Sequence, residues 1–181
     1  MKKLLVIFLS TGILFSCQNA KKENAKDDGK KELVAGKSTT GYSVKSPSGW
    51  EKVDTSYMGQ TVTFIRHPKQ NDEDDFLENA NIVTEKIGSY DMQDYLDASI
   101  RNMESGLTNF SHEPVVDIKL GDNDFKKMPY SHTYSGVDID ADVYFMIKDG
   151  TAYLITCSTL KGDREKYKAE FEQVISSFHI D

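Results

Sequence analysis

The stretch DVYFMIKDGTAYLITCST, Asp142 to Thr159, decides the fold. Two apolar runs flank Asp149-Gly150, a pair whose residues both tolerate positive φ and so suit a two-residue hairpin turn. Such a turn sets the pairing. Ile147 faces Ala152, Phe145 faces Leu154 and Val143 faces Thr156 on one side; Met146 meets Tyr153 and Tyr144 meets Ile155 on the other. Both sides are substantially apolar. An antiparallel sheet with one wet face alternates more cleanly than this, so a layer should cover each face of the hairpin.

Two segments can supply the layers. After Asp91, a good N-cap, Met92, Tyr95, Leu96, Ile100, Met103 and Leu107 recur at three- and four-residue steps, with Gly106 near the stop. Asp163 is read as the cap of a second helix, with a stripe of Tyr167, Phe171, Val174, Ile175 and Phe178. Strands are predicted at 41–45, 60–66, 80–87, 115–120, 127–135, 138–147 and 151–159, with turns at Pro47-Ser48-Gly49-Trp50, Gly121 to Asp124 and Gly136. Trp50 is placed to cover a sheet edge. The class is therefore α+β: a three-layer α/β/α sandwich of two main helices around a mostly antiparallel sheet. Placing both helices on one face is the alternative.

The chain begins differently. Lys2 and Lys3 precede an apolar run from Leu4 to Phe15. That is about a dozen residues, where a membrane-spanning helix needs roughly 20. A positive start, a short apolar run and a small residue form the pattern of a secretory signal peptide. Here the small residue is Ser16, and Cys17 follows directly. Leu14-Phe15-Ser16-Cys17 resembles the lipobox of bacterial lipoproteins, in the looser form of Bacteroidota-type organisms. The resemblance implies a signal peptide over 1–16, cleavage before Cys17 and diacylation of its sulfur. Two or more acyl chains give stable anchoring where one is marginal.

Residues 18–40 hold six lysines and four acids and few apolar side chains. Such a segment cannot bury enough apolar area to offset its ordering entropy, and is expected to be a solvated tether. Lys21-Lys22-Glu23 is a partial match to surface-export signals of Bacteroidota lipoproteins. Residues 41–181 have the size of one domain. This domain carries 14 basic against 25 acidic residues, a formal charge of −11. Phosphates would repel it, so nucleic acid is a poor partner. With Cys17 lipidated, Cys157 is alone, and a buried inert thiol in a strand is expected.

Catalytic motifs are missing. His67, His112, His132 and His179 are scattered, none in a metal-binding spacing, and His112 is expected in a loop. There is no nucleophile elbow, phosphate loop or dinucleotide fingerprint. The one notable cluster is Asp138-Ile139-Asp140-Ala141-Asp142. Strand alternation sets its three carboxylates on one face, where their repulsion would welcome a cation. Calcium favours such oxygen ligands, so Asp138, Asp140 and Asp142 are the candidate ligands for a weak cation or cationic-partner site, beside the plainer reading of a solvated strand end. The pattern is no EF-hand, because Val143 stands where Gly is needed and Asp149 where a bidentate Glu is expected. The acidic run Asp72 to Asp75 reads as a solubilising loop. Tyr57, Met58, Phe76 and Tyr90 fall in loops and would mark a partner surface if exposed together.

The order of elements also resembles a known superfamily. A strand leads into Pro47-Ser48-Gly49-Trp50, Asn79 to Val83 precedes a helix with Tyr95-Leu96, and Asp149 to Thr156 is followed by Tyr167, Phe171 and Ile175-Ser176-Ser177-Phe178. This is similar to the PsbP-like superfamily, with its DcrB-type lipoproteins and Mog-type Ran-binding proteins. The resemblance covers nearly all of 42–178 and implies an α/β/α sandwich and a binding, assembly or chaperone-like role without catalysis. The expectation is a lipid-anchored envelope protein, not an enzyme and without a cofactor, that binds or assists a partner protein. The alternative is an envelope module for a small ligand or a divalent cation. Outer-membrane attachment is favoured, with the domain facing the periplasm or the cell surface.

Overall fold

A computed structural model describes residues 41–57, 60–69, 71 and 76–181. In chain order they form β1 (Tyr42–Ser43), β2 (Glu51–Tyr57), β3 (Gln60–Arg66), β4 (Asn79–Lys86), α1 (Met92–Gly106), β5 (Thr108–His112) and β6 (Val116–Leu120). β7 (Asn123–Tyr134), β8 (Val137–Lys148), β9 (Thr151–Leu160), α2 (Lys168–Ser176) and β10 (His179–Ile180) follow. The expected signal peptide and tether, Cys17, Met58 and the acidic run 72–75 lie outside the described residues. No described helix is long and apolar enough to cross a membrane.

The Asp149-Gly150 turn has the expected backbone, with φ of 51° and 68°. It sets Ile147 opposite Ala152, Phe145 opposite Leu154 and Tyr144 opposite Ile155. This hairpin lies inside one antiparallel sheet of order β2-β3-β4-β9-β8-β7-β5, with β6 also on β7. Each face has its own core. Tyr95, Leu96 and Met103 of α1 pack with Met128, Val143, Phe145 and Leu154 on one side. Phe171, Val174 and Ile175 of α2 pack with Tyr144, Met146, Ile155 and Cys157 on the other. The helices thus cover opposite faces, and the sandwich has three layers.

The structure departs from the local sequence reading at four places. β2 was not predicted: Glu51, Lys52, Asp54, Thr55 and Ser56 dilute its apolar signal, and in-register pairing with β3 supplies what propensity lacks. β10 is two residues long and exists because β1 pairs with it. His112, expected in a loop, ends β5. Asp163 does not cap α2. Residues 163–167 form turns, with Lys166 N–H donating to the Asp163 carbonyl at 3.0 Å, and the helix starts at Lys168 without a side-chain cap. Asp91 does cap α1, accepting from the Asp94 N–H at 2.9 Å.

The two ends of the sheet order differ. On the β7 side the edge is broken into β5, paired over 130–133, and β6, paired over 123–127. Pro129 sits in the gap. Proline has no N–H to offer an outer strand, so the edge divides there. Asn109, with φ of 54°, adds a register irregularity in β5. On the other side β2 pairs with β3 without interruption over seven residues.

Candidate functional site

Asp138, Asp140 and Asp142 do share a face of β8, on the α2 side. The β7–β8 turn at Ser135-Gly136 sets Thr133 opposite Asp138 and Ser131 opposite Asp140. The hydroxyls answer the acids: Thr133 Oγ1 donates to Asp138 at 2.8 Å and Ser131 Oγ to Asp140 at 2.6 Å. Gly162 N–H donates to the other oxygen of Asp140 at 3.0 Å. Lys161 Nζ stands 3.6 Å from Asp138. Burial works to raise the Asp140 carboxyl, but Ser131, the Gly162 N–H and the positive Arg164 and Lys161 outweigh it and hold it below its ordinary value.

Asp142 is the deepest of the three, 8% exposed. Lys127 Nζ lies 2.7 Å from Oδ2 and Arg164 Nε 3.4 Å from Oδ1. The same arginine reaches the carbonyls of Tyr130 and Ala141 at 3.2 and 3.4 Å and the carboxylate of Glu113 at 3.4 Å. Lys127 also sits 5.5 Å above the Tyr144 ring centroid, in the attractive range for a cation over an aromatic face. Cys157 pairs with Asp142 across the strands, and burial pushes its thiol well above the usual value. It is a packed thiol and not an activated one.

The calcium expectation therefore meets a different arrangement. The repulsion among the acids is relieved by two lysines, an arginine, two hydroxyls and a backbone N–H of the same chain. Calcium takes six to eight oxygen ligands, several of them carboxylates not already engaged by cations, and among the described residues no group of three or more candidate ligands converges on a metal position. The cluster fastens the loop after β9, through Gly162 and Arg164, onto the corner of the sheet. Lys127 was legible in principle, since a two-residue turn at Ser135-Gly136 places it opposite Tyr144. Arg164 had no local signal.

The opposite face holds an unexpected group. Tyr130, Ala141 and Ser158 form one row across β7, β8 and β9. The Tyr130 hydroxyl, the Ser158 hydroxyl and both ring nitrogens of His132 are buried without a well-formed hydrogen bond. His132 is 2% exposed and stacks on Tyr130, ring centroids 5.8 Å apart. Burial lowers its imidazole below the ordinary value, with a backbone contact at Thr133 working weakly against this. Burial likewise raises the Tyr130 hydroxyl far above the usual range.

Phe76 and Tyr90 do not form one patch, while Met58 and the Tyr57 side chain lie outside the described residues. Tyr57 ends β2 opposite Gln60, and Tyr90 follows Ile87, whose N–H donates to the Gly150 carbonyl, so both belong to one end of the sheet. Phe76 precedes Asn79, which pairs with Arg66 at the other end, and it is half-buried. Trp50 behaves as expected. It closes the edge of the α2 face in edge-on contacts with His67, Tyr167 and Phe171, at centroid distances of 5.4, 6.2 and 5.7 Å.

No family model and no curated protein matches the sequence. Solved structures do match the fold. The PA94 protein of Pseudomonas aeruginosa, of unknown function, aligns with a TM-score of 0.57 at 14% identity, over 75% of this chain and 94% of its own. LpqN of Mycobacterium tuberculosis, described as involved in cell envelope biogenesis, aligns at 0.55 and 13%, over 76% and 81%. Cyanobacterial PsbP from Synechocystis sp. PCC 6803 aligns at 0.52 and 19%, over 84% and 100%. At such identities the likeness is one of architecture: the fold is PsbP-like.

Proposed function

We propose that this chain is a lipid-anchored, non-catalytic protein of the bacterial cell envelope whose PsbP-like domain binds or assists a partner protein. The observation that carries the anchor is Ser16-Cys17 at the end of a run too short to span a bilayer, followed at once by a polar, charged segment. LpqN, with the same architecture, is described as acting in envelope biogenesis, which supports an envelope setting. The non-catalytic part of the reading rests on the side-chain chemistry of the domain: its acidic cluster is neutralised by its own cations, and burial raises the Cys157 thiol well above its usual value. The cation-module alternative is weakened for the same reason, because its three carboxylates are already engaged.

Mass spectrometry of the amino-terminal peptide from the native membrane tests the anchor. The expected species begins at Cys17 and carries at least two acyl chains. An unmodified Cys17, or a start elsewhere, overturns it. Cross-linking in intact cells tests the partner role, with a discrete adduct to another envelope protein as the expected result. Cross-links to this chain alone would remove that part of the reading.

A further inference from the structure

We infer that β2 is a self-pairing edge, through which two copies of this chain join their sheets antiparallel about Val53. The two edges of the sheet are built differently. The β5/β6 edge is divided at Pro129 and irregular at Asn109, two of the ways in which proteins blunt an edge against further pairing. β2 has neither device: no described strand pairs with its outer side, and its seven residues run in unbroken register with β3. Residues 51–55 are all exposed, and Val53, at 43%, is among the most exposed apolar side chains of the described residues.

The order Glu51-Lys52-Val53-Asp54-Thr55 selects the occupant and the register. In a symmetric antiparallel pair centred on Lys52, lysine would oppose lysine. Centred on Asp54, aspartate would oppose aspartate. Centred on Val53, Lys52 of each copy stands opposite Asp54 of the other, twice by symmetry, and the two valines cover each other. Opposite charges directly across a strand pair are favourable and like charges are not. A contact that uses the same patch on both copies is the ordinary way in which homodimers close. Both charges are free to serve. Asp54 accepts one bond from Thr63 Oγ1, at 2.6 Å, and Lys52 donates to the Val44 carbonyl at 3.3 Å, leaving lone pairs and N–H groups unused.

The symmetry has a geometric consequence. The two-fold axis runs perpendicular to the joined sheet, so equivalent faces of the two copies point the same way. Tyr42 of β1 packs in the α2-side core, so both chains enter their domains from the same side of the sixteen-stranded sheet. Two anchors could thus reach one membrane, although the dimer itself does not depend on anchoring. Five paired residues make a small interface, so the dimer is weak and concentration-dependent in solution and gains from confinement of both copies on one surface.

The test is oxidative cross-linking and sedimentation of the full chain. Val53→Cys should give a covalent dimer in good yield, because the symmetry sets this residue against itself. Val116→Cys, at least as exposed on the blunted edge, should not. Lys52→Asp and Asp54→Lys should each weaken the non-covalent dimer about tenfold, and the double variant Lys52→Asp/Asp54→Lys should restore it, with thermal stability little changed throughout. Equal cross-linking at Val53 and Val116, failure of the double variant to recover, or a monomer at every concentration up to about millimolar would each overturn the proposal.

Discussion

Asp142 carries a negative charge to a nearly closed site, and its environment exists to neutralise it. Removing one member of a buried ion pair costs more than the pair itself contributes, because the partner's charge is left without compensation. Asp142→Asn leaves Lys127 and Arg164 facing each other across a neutral amide. A loss of roughly 2–4 kcal/mol is expected, discounted from a fully buried pair because both cations keep some access to water. Asp138→Asn, at an exposed position, should cost under about 0.5 kcal/mol. Urea unfolding of the two variants checks the contrast, and equal losses would remove the buried-cluster account. His132 makes a second prediction at this scale. Its imidazole is held below 6.5 by burial, so the unfolded chain binds the proton first as pH falls. Stability is therefore whole above about pH 6.5 and declines below it, toward the lowered native value. His132→Phe should flatten the fall in melting temperature between pH 7 and 5, and an unchanged slope would show that another group is responsible. The acidic triplet was plain in the sequence; its pairing with Arg164 and the isolation of His132 were not, because each depends on residues brought together from other parts of the chain.

At the scale of elements, the hairpin register was legible to the residue. Asp149-Gly150 permits one tight turn, and strand alternation does the rest. The α1 stripe was legible for the same kind of reason, a period of 3.6 with an aspartate at its start and a glycine near its end. β2 was not, since an edge strand whose residues 51–55 are all exposed needs little apolar content. The turn between β6 and β7 illustrates what elements demand of each other. Gly121 has φ of 61°, and a Cβ there would stand 2.5 Å from the carbonyl oxygen of Ser176 at the end of α2. Asn123 holds the same junction by donating to the Phe178 carbonyl at 2.7 Å. Gly121→Ala combines a strained backbone with a clash against main chain. It should cost about 2 kcal/mol or more, read as a lower melting temperature. A neutral effect would mean that the turn can move away from α2 freely.

For the whole molecule, the sequence by itself determined the class of fold, because turn chemistry and hydrophobic period are local properties of a chain. Two apolar faces on one hairpin require two covering layers, and two amphipathic helices were there to provide them. Tertiary structure decided that α1 and α2 take opposite faces, that the carboxyl-terminal His179–Ile180 closes against Tyr42–Ser43, and that the acids of β8 meet Lys127 and Arg164. These are contacts between residues far apart in the chain. Arg164 and Asp142 are brought within ion-pair distance only after strand order and the path of the loop following β9 are set. A carboxylate cluster looks the same in sequence whether a metal ion or the chain's own side chains will neutralise it; the folded surroundings choose between the two.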